Sequence, residues 1–441
     1  MTRIAGLVVM LLVSAAAGAA RAQPPSIRLT LDEAIARGLD TSHRLAELAA
    51  REDAAKAAES SVHAAGLPQV ALLGGYTRTN HVDEFGVRVP GGTLSVIYPD
   101  APDNYRSRID LQWPIYTGGR VEASTRAASA DARATEHDRA AARADLKLEI
   151  TRAYWAVITA QASVTVLQNA LDRVGAHLDD VRNELAVGLV PPNEVFSTQA
   201  QYSRQQMLLI EAQNTAESTA ADFRRLAGLA PDTSFELADS LDAPPQPLPP
   251  AVAALVDEAR VRRFERQALQ SRIKSADERT TAARGAQRPT LSVTGGYDVA
   301  RPNPRIFPRM EEWNSSWDAS LNVSWSIWDG RRARADIAQA AANHRAAEER
   351  LLEFDRVLDV EVRQRAFDVA SSAASIAAAA DGVSSAAEAR RVVTERFAAG
   401  VATNTDVLDA QSALLVAELE RTRALANARL AAARLDRALG K

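Results

Sequence analysis

The sequence predicts a mixed α and β membrane protein whose plan occurs twice, and three observations carry that prediction. A block of residues returns at a constant spacing of 212, four segments alternate apolar and polar side chains, and two proline-free stretches of 67 residues carry Ala, Leu and Val at helical spacing. Composition sets the frame. The chain has 441 residues, with 52 Lys and Arg against 56 Asp and Glu, for a formal net charge of -4. That near-neutral balance argues against a nucleic-acid partner, which calls for a basic surface. With no cysteine, a disulfide framework, a thiolate metal site and a cysteine nucleophile are excluded. Aromatic residues make up only 5%, so long helices packed over small side chains suit this chain better than one thick core.

Residues Met1 to Ala22 place Arg3 before an apolar run and close with Ala20-Arg21-Ala22, which predicts a cleaved secretory signal peptide and a mature chain starting near Gln23. The apolar run is marginal for a bilayer span and is interrupted by Ser14, so a retained anchor is the lesser reading. No Cys follows the cleavage site to carry a lipid. No later stretch reaches about 18 apolar residues, so no transmembrane helix is predicted. An exported chain of this kind is soluble in the periplasm, secreted, or a membrane β-barrel.

The duplication orders everything that follows. Trp113-Pro114-Ile115-Tyr116-Thr117-Gly118-Gly119-Arg120 pairs with Trp325-Ser326-Ile327-Trp328-Asp329-Gly330-Arg331-Arg332. At the same offset Gly188 answers Gly400, Val195 answers Val407, Gln199 answers Gln411, and Gly228 answers Gly440. Upstream, Gly74-Gly75-Tyr76 answers Gly295-Gly296-Tyr297 at an offset of 221. The extra residues of the first copy fall between Tyr76 and Trp113, where Pro90-Gly91-Gly92 and Pro99 to Pro102 mark a loop. The division is therefore a signal peptide at 1–22, a first repeat at 23–230, a proline-rich linker at 231–250 and a second repeat at 251–441. Each repeat reads helix, β-hairpin, long helix, helix.

Helices precede the hairpins at about Leu31 to Ala65 and Ala251 to Ala283. The strand signal is strongest from Trp313 to Ile327, where apolar and polar residues alternate throughout. Leu291 to Val299 forms its partner, and Val70 to Tyr76 with Tyr105 to Ile115 repeats the pair. Strands of roughly 10 to 15 residues match membrane strands, which need about 9 to 11 residues when tilted near 45°. Trp313 and Trp325 stand about 40 Å apart along such a strand, or about 30 Å of height after tilting. Trp113, Tyr116, Trp313, Trp317, Trp325 and Trp328 are accordingly candidates for a membrane girdle. The plain alternative is a soluble hairpin whose tryptophans fill a sandwich core. The long helices run from about Val121 to Val187 and from about Ala333 to Ala399, each roughly 100 Å long. Gly188 and Gly400 end them as left-handed caps, and shorter helices return from about Asn193 to Leu229 and Thr405 to Leu439.

Four membrane strands cannot stand alone, because lipid offers no hydrogen bonds to open edges. A dimer would close eight strands over a filled interior, and a trimer would close about twelve around a lumen. The Ser, Asn, Thr and Asp of the polar faces suit a watery interior. The long helices would continue such a pore as an α-helical conduit.

The duplicated plan, the opening Leu29-Thr30-Leu31-Asp32-Glu33-Ala34-Ile35, the Val187-Gly188-Leu189-Val190 turn and the run from Ala399 to Gln411 resemble the TolC family of outer-membrane efflux proteins. The resemblance covers essentially all of the mature chain. It implies a homotrimer with a 12-stranded outer-membrane β-barrel, four strands per chain, continued by a long periplasmic α-helical barrel. It also implies partners: a periplasmic adaptor protein and an inner-membrane pump of the RND or ABC type, with the channel serving tripartite efflux or type I secretion. The positions matching the family's adaptor-docking tips are Gly188, Leu189, Val190, Gly400 and Val401; the bland role of the two glycines is to cap helices. The positions matching its acidic entrance ring are Asp406, Asp409 and Glu194, where mutual repulsion across a trimer axis would raise their pKa values. Acids in a helix's first turn also favour its dipole wherever they point. Ala402 stands where the family carries a basic partner, and Phe397 where it often has a hydroxylated aromatic.

Nothing in the sequence suggests catalysis or a cofactor. His43, His63, His81, His137, His177 and His344 are scattered without a metal-binding spacing, and each reads as a solvated residue. The competing class is a soluble periplasmic coiled-coil scaffold with the hairpins as a small β domain.

Overall fold

The computed structural model describes residues 27–92, 94–242 and 251–441. The expected signal peptide, and 243–250 of the expected linker, lie outside those residues. In chain order the elements begin with β1 (Ile27–Leu29), α1 (Leu31–Asp40), α2 (His43–Ala64), β2 (Gln69–Arg78), β3 (Phe85–Arg88), β4 (Leu94–Tyr98) and β5 (Asp103–Tyr116). There follow α3 (Arg120–Ala186), α4 (Pro192–Leu226), β6 (Phe235–Leu237), α5 (Val252–Arg262) and α6 (Phe264–Gly285). The chain closes with β7 (Thr290–Arg301), β8 (Asn314–Ser324), α7 (Arg332–Ala398) and α8 (Asn404–Ala438). Helices α3 and α7 are both 67 residues long, and α4 and α8 are both 35.

The chain divides into two compact units. The first takes the described residues of Met1–Thr41, Glu149–Pro245 and Ile376–Arg429. Its core holds Leu167, Ala170 and Leu171 of α3 against Leu209 of α4 and Leu415 of α8. Helix α1 starts on a capping box: the Thr30 N–H donates to Glu33 Oε2 at 2.9 Å, and Thr30 Oγ1 accepts from the Glu33 N–H at 3.3 Å. Strands β1 and β6 pair in parallel, Ile27 opposite Phe235. The start of the expected linker is thus a strand, and it is anchored. Tyr154, fully buried on α3, donates its hydroxyl proton to Asp239 Oδ2 at 2.7 Å, which also accepts from the Leu31 N–H at 3.1 Å. Three strand residues beside so many prolines carry too short a pattern to read from sequence.

The second unit takes the described residues of Ser42–Leu148, Gln246–Ser375 and Leu430–Lys441. Its sheet has the order β2-β5-β7-β8, antiparallel throughout, leaving β2 and β8 as edges. Register keeps two faces apart. Cross-strand rows such as Leu72, Ile109, Tyr297 and Trp317 make one face apolar, and rows such as Leu73, Arg108, Asp298 and Ser316 make the other largely polar. Strand β8 is shorter than the alternation from Trp313 to Ile327 suggests, because its partner β7 begins at Thr290, opposite Ser324; beyond that pair Trp325 donates its indole N–H to the Gln287 carbonyl at 3.1 Å. The loop expected between Tyr76 and Trp113 contains a further hairpin, β3 with β4.

The helices expected to precede each hairpin are broken in two. Ser42 separates α1 from α2, its hydroxyl accepting from the Leu45 N–H at 3.3 Å. Arg263, extended at ψ 118, separates α5 from α6. Its guanidinium donates to the carbonyls of Arg437 and Ala438 at 3.3 Å, which caps the end of α8, and pairs with Glu265 at 3.1 Å. Burial works to raise the Glu265 carboxyl's pKa, but the hydrogen bond from Arg437 and the charges of Arg263 and Arg437 outweigh it and hold it below the usual range. Leu255, Val256, Leu358, Val362, Leu435 and Leu439 pack together nearby as this unit's helical core.

Candidate functional site

The two helix-turn-helix tips, both in the first unit, close with the same backbone device. After α3, the Gly188 N–H reaches the Leu185 carbonyl at 3.0 Å and the Leu189 N–H reaches Glu184 at 2.9 Å. After α7, the Gly400 N–H reaches Phe397 at 2.8 Å and the Val401 N–H reaches Arg396 at 2.9 Å. This is the paired hydrogen bonding of a Schellman cap, and it needs a left-handed residue; Gly188 has φ +77 and Gly400 φ +73. A Cβ built on either glycine meets nothing within 4 Å. Beyond the glycines, Leu189 and Val401 stand 75% and 65% exposed, and Val190 is half-buried.

The acids differ in what they do. The Asp406 carboxylate accepts from the Thr403 N–H at 2.8 Å and the Thr403 hydroxyl at 2.7 Å, while Thr403 Oγ1 accepts from the Asp406 N–H at 3.2 Å. That reciprocal cap starts α8. The backbone hydrogen bond, followed by the hydroxyl, holds the Asp406 carboxyl below its ordinary pKa. Within one chain the direction is therefore opposite to that expected of a repelling ring. Asp409 is exposed one turn on, and Glu194 is half-buried in the first turn of α4.

Just inside the tips lies a cluster that sequence reasoning missed. His177 of α3 is 6% exposed and hydrogen-bonds through Nε2 to Asn404 Oδ1 at 2.6 Å. The Asn404 amide donates to Thr198 Oγ1 at 3.0 Å and Ser197 Oγ at 3.2 Å, both on α4. Because that amide donates, its oxygen accepts, and the network assigns the proton to His177 Nε2. The His177 ring stands edge-on to Phe397 of α7 at 5.3 Å. One buried knot so joins all four helices. The reading of His177 as solvated is corrected: it faces α8 and α7, and nothing local in the sequence announces partners so distant along the chain.

In the second unit, the girdle candidates are all exposed, from 41% for Trp113 to 78% for Trp328. At one end of the sheet Trp313 lies 5.9 Å from Tyr105, whose ring lies 5.0 Å from Tyr76. Trp113 and Tyr116 occupy the other end of β5, and Trp325 and Trp328 follow β8. Trp317 belongs to neither end; it stands opposite Tyr297 within the sheet. Tyr76 and Tyr105 join the aromatic group, though only the tryptophans and Tyr116 were expected there.

Among the described residues no helix is long and apolar enough to cross a membrane. Among the same residues no group of three or more His, Cys, Asp or Glu is placed to hold a metal ion.

A family model described as "Outer membrane efflux protein" matches residues 34–229 and 255–441. Protein CyaE of Bordetella pertussis is 26% identical over 422 residues, covering 91% of this chain and 84% of the relative. Outer membrane protein TolC of Vibrio cholerae is 23% identical over 398 residues, covering 90% of this chain and 87% of the relative. Among solved structures, the outer-membrane channel OprN shares the fold with a TM-score of 0.79 at 19% identity, over 93% of this chain and 89% of that one. Two β-hairpins, two long helices and two glycine-capped tips thus stand in a chain that belongs to the outer membrane efflux protein family.

Proposed function

We propose that three copies of the chain close a 12-stranded outer-membrane barrel, continued by a periplasmic α-helical barrel, and that the assembly is the exit channel of a tripartite export system. The observation that carries this is the four-stranded sheet, with one apolar face, one largely polar face, and open edges at β2 and β8. In lipid an open edge leaves backbone groups without partners, so copies must pair edge to edge. Two copies would fill their interior, whereas three leave a lumen for the polar face. The two halves of the chain descend from one duplicated unit, which accounts for matching helices of 67 and 35 residues. An amino-terminal signal peptide, removed on export, directs the chain to the envelope.

The chain has no nucleotide-binding motif, so energy comes from partners, an inner-membrane pump of the RND or ABC type and a periplasmic adaptor. The adaptor docks on the tips through Leu189, Val190 and Val401, with Gly188 and Gly400 shaping the turns. Asp406, Asp409 and Glu194 bring carboxylates to the entrance and favour cations there. Trp113, Tyr116, Trp313, Trp325 and Trp328 anchor the barrel at the two interfaces of the membrane. The test is extraction and mass of the native protein. Release only by detergent, as a species of three chains, is expected; a monomer released by buffer alone would overturn the reading.

A further inference from the structure

The connection from β7 to β8 folds back over the polar face of the sheet, and three anchors hold it. Asn303, 2% exposed, donates its amide to the Asn314 carbonyl at 2.9 Å and to Ser316 Oγ at 3.2 Å. Arg305 donates to the Trp317 carbonyl at 2.7 Å and pairs with Asp318 at 3.1 Å. Arg309 donates to the Tyr98 hydroxyl of β4 and stacks over that ring at 4.5 Å. A cavity of about 370 Å³ is lined by the loop residues Pro302, Pro304 and Arg309 together with Gly75 and Thr77 of β2 and Asn104 of β5. The segment so reaches from the β8 edge across to β2.

Beneath it lies a charge network. Arg108 pairs with Asp110 at 2.6 Å, with Asp318 at 2.9 Å, and with Asp298, which also pairs with Arg106 at 2.6 Å. Arg108 reaches β8 because Gly296 has no side chain; a Cβ there would collide with the guanidinium. Three arginines, Arg106, Arg108 and Arg305, face three aspartates, Asp110, Asp298 and Asp318. Every charge in this group has an opposite partner, so it presents little net field to a passing ion of either sign.

We infer that 302–310 is a strap that narrows the outer mouth of the pore and selects solutes by size, with Arg305 and Arg309 as its specificity-determining anchors. This rests on the proposed function, in which the polar face lines the lumen. The long connections of a membrane barrel lie on the extracellular side, which places the strap at the exit.

The test uses the full-length channel in intact cells. The chain contains no cysteine, so Ser320→Cys, on the polar face one row beyond Asp318, supplies a unique thiol. A small membrane-impermeant maleimide and a polyethylene glycol maleimide of a few kilodaltons are added outside. With the strap intact the small reagent labels and the bulky one is slow. Arg305→Ala with Arg309→Ala is expected to speed the bulky reagent several-fold and leave the small one unchanged. Bulky labelling at the same rate in both backgrounds, with the small reagent reacting, overturns the strap alone. Failure of both reagents in both backgrounds means that Ser320 does not line an outward-opening pore, and the proposed channel falls with it.

Discussion

The two tips share a turn but not a beginning. Gly188 and Gly400 close α3 and α7 with the same hydrogen bonds, yet the next helix starts differently in each. Helix α4 starts on Pro191 and Pro192 with no side-chain cap, whereas α8 starts on Thr403, Asn404 and Asp406, all hydrogen-bonded. Proline at the first helical position is preorganised by its ring and loses no backbone donor that the helix needs. The second tip reaches the same geometry with polar contacts, one of which is buried. One start is therefore steric and insensitive to conditions, and the other is chemical and can be weakened.

Replacing the equivalent residues tests that contrast. Asn404→Leu strips His177 and Thr198 of their buried partner and is expected to cost about 3 kcal/mol, read as a lower unfolding midpoint in detergent. Pro192→Ala should cost far less; similar losses at both tips would erase the distinction. The glycines come next. Gly188→Leu and Gly400→Leu each force a side chain into the left-handed region at about 1–2 kcal/mol, with space around the new Cβ. Trimers should therefore still form while pump-dependent export is lost, and unimpaired export would remove the tips from docking.

Thr403→Ala removes the α8 cap and is expected to cost about 1 kcal/mol, against almost nothing for Pro191→Ala, measured by the same unfolding midpoints. The smallest effect is one of pH. Because the folded state holds the Asp406 carboxyl below its ordinary value of 3.8, it binds that proton more weakly than the unfolded chain does. The stabilisation is complete above the ordinary value and disappears as pH falls through the lower, folded one. Wild type and Asp406→Asn should therefore draw together as pH falls below 3.8 and converge only once it lies below the lowered, folded-state value; a gap that persists there would deny the cap its role. Conductance in planar bilayers probes the other role: Asp406→Ala with Asp409→Ala should weaken cation selectivity if these acids line the entrance.

Much of this was legible in the sequence. Period-two alternation located all four long strands, and proline-free helical spacing placed α3 and α7 within a residue or two of their ends. The tip glycines were readable because a left-handed turn leaves few other choices. The helix breaks at Ser42 and Arg263 were not legible, since the side chains that stabilise them are common and the helical pattern resumes at once. Nor was the β3–β4 hairpin, whose strands are too short to show a period. The histidines show the limit most clearly: His177 reads like His43 until its neighbours are known.

The lengths of α3 and α7, the polarity of each sheet face and the positions of the two tip turns follow from the sequence alone. They depend on periodicity and backbone preference within a few residues, and both are written locally. The tertiary structure alone decided that β5 lies beside β7, that Arg108 passes over Gly296 to reach Asp318, that the 302–310 strap crosses the polar face, and that His177 meets Asn404. Those partners lie far apart along the chain, and many pairings satisfy the same local rules. Only packing the whole molecule selects among them, because a buried polar group must find its partner wherever the fold brings one.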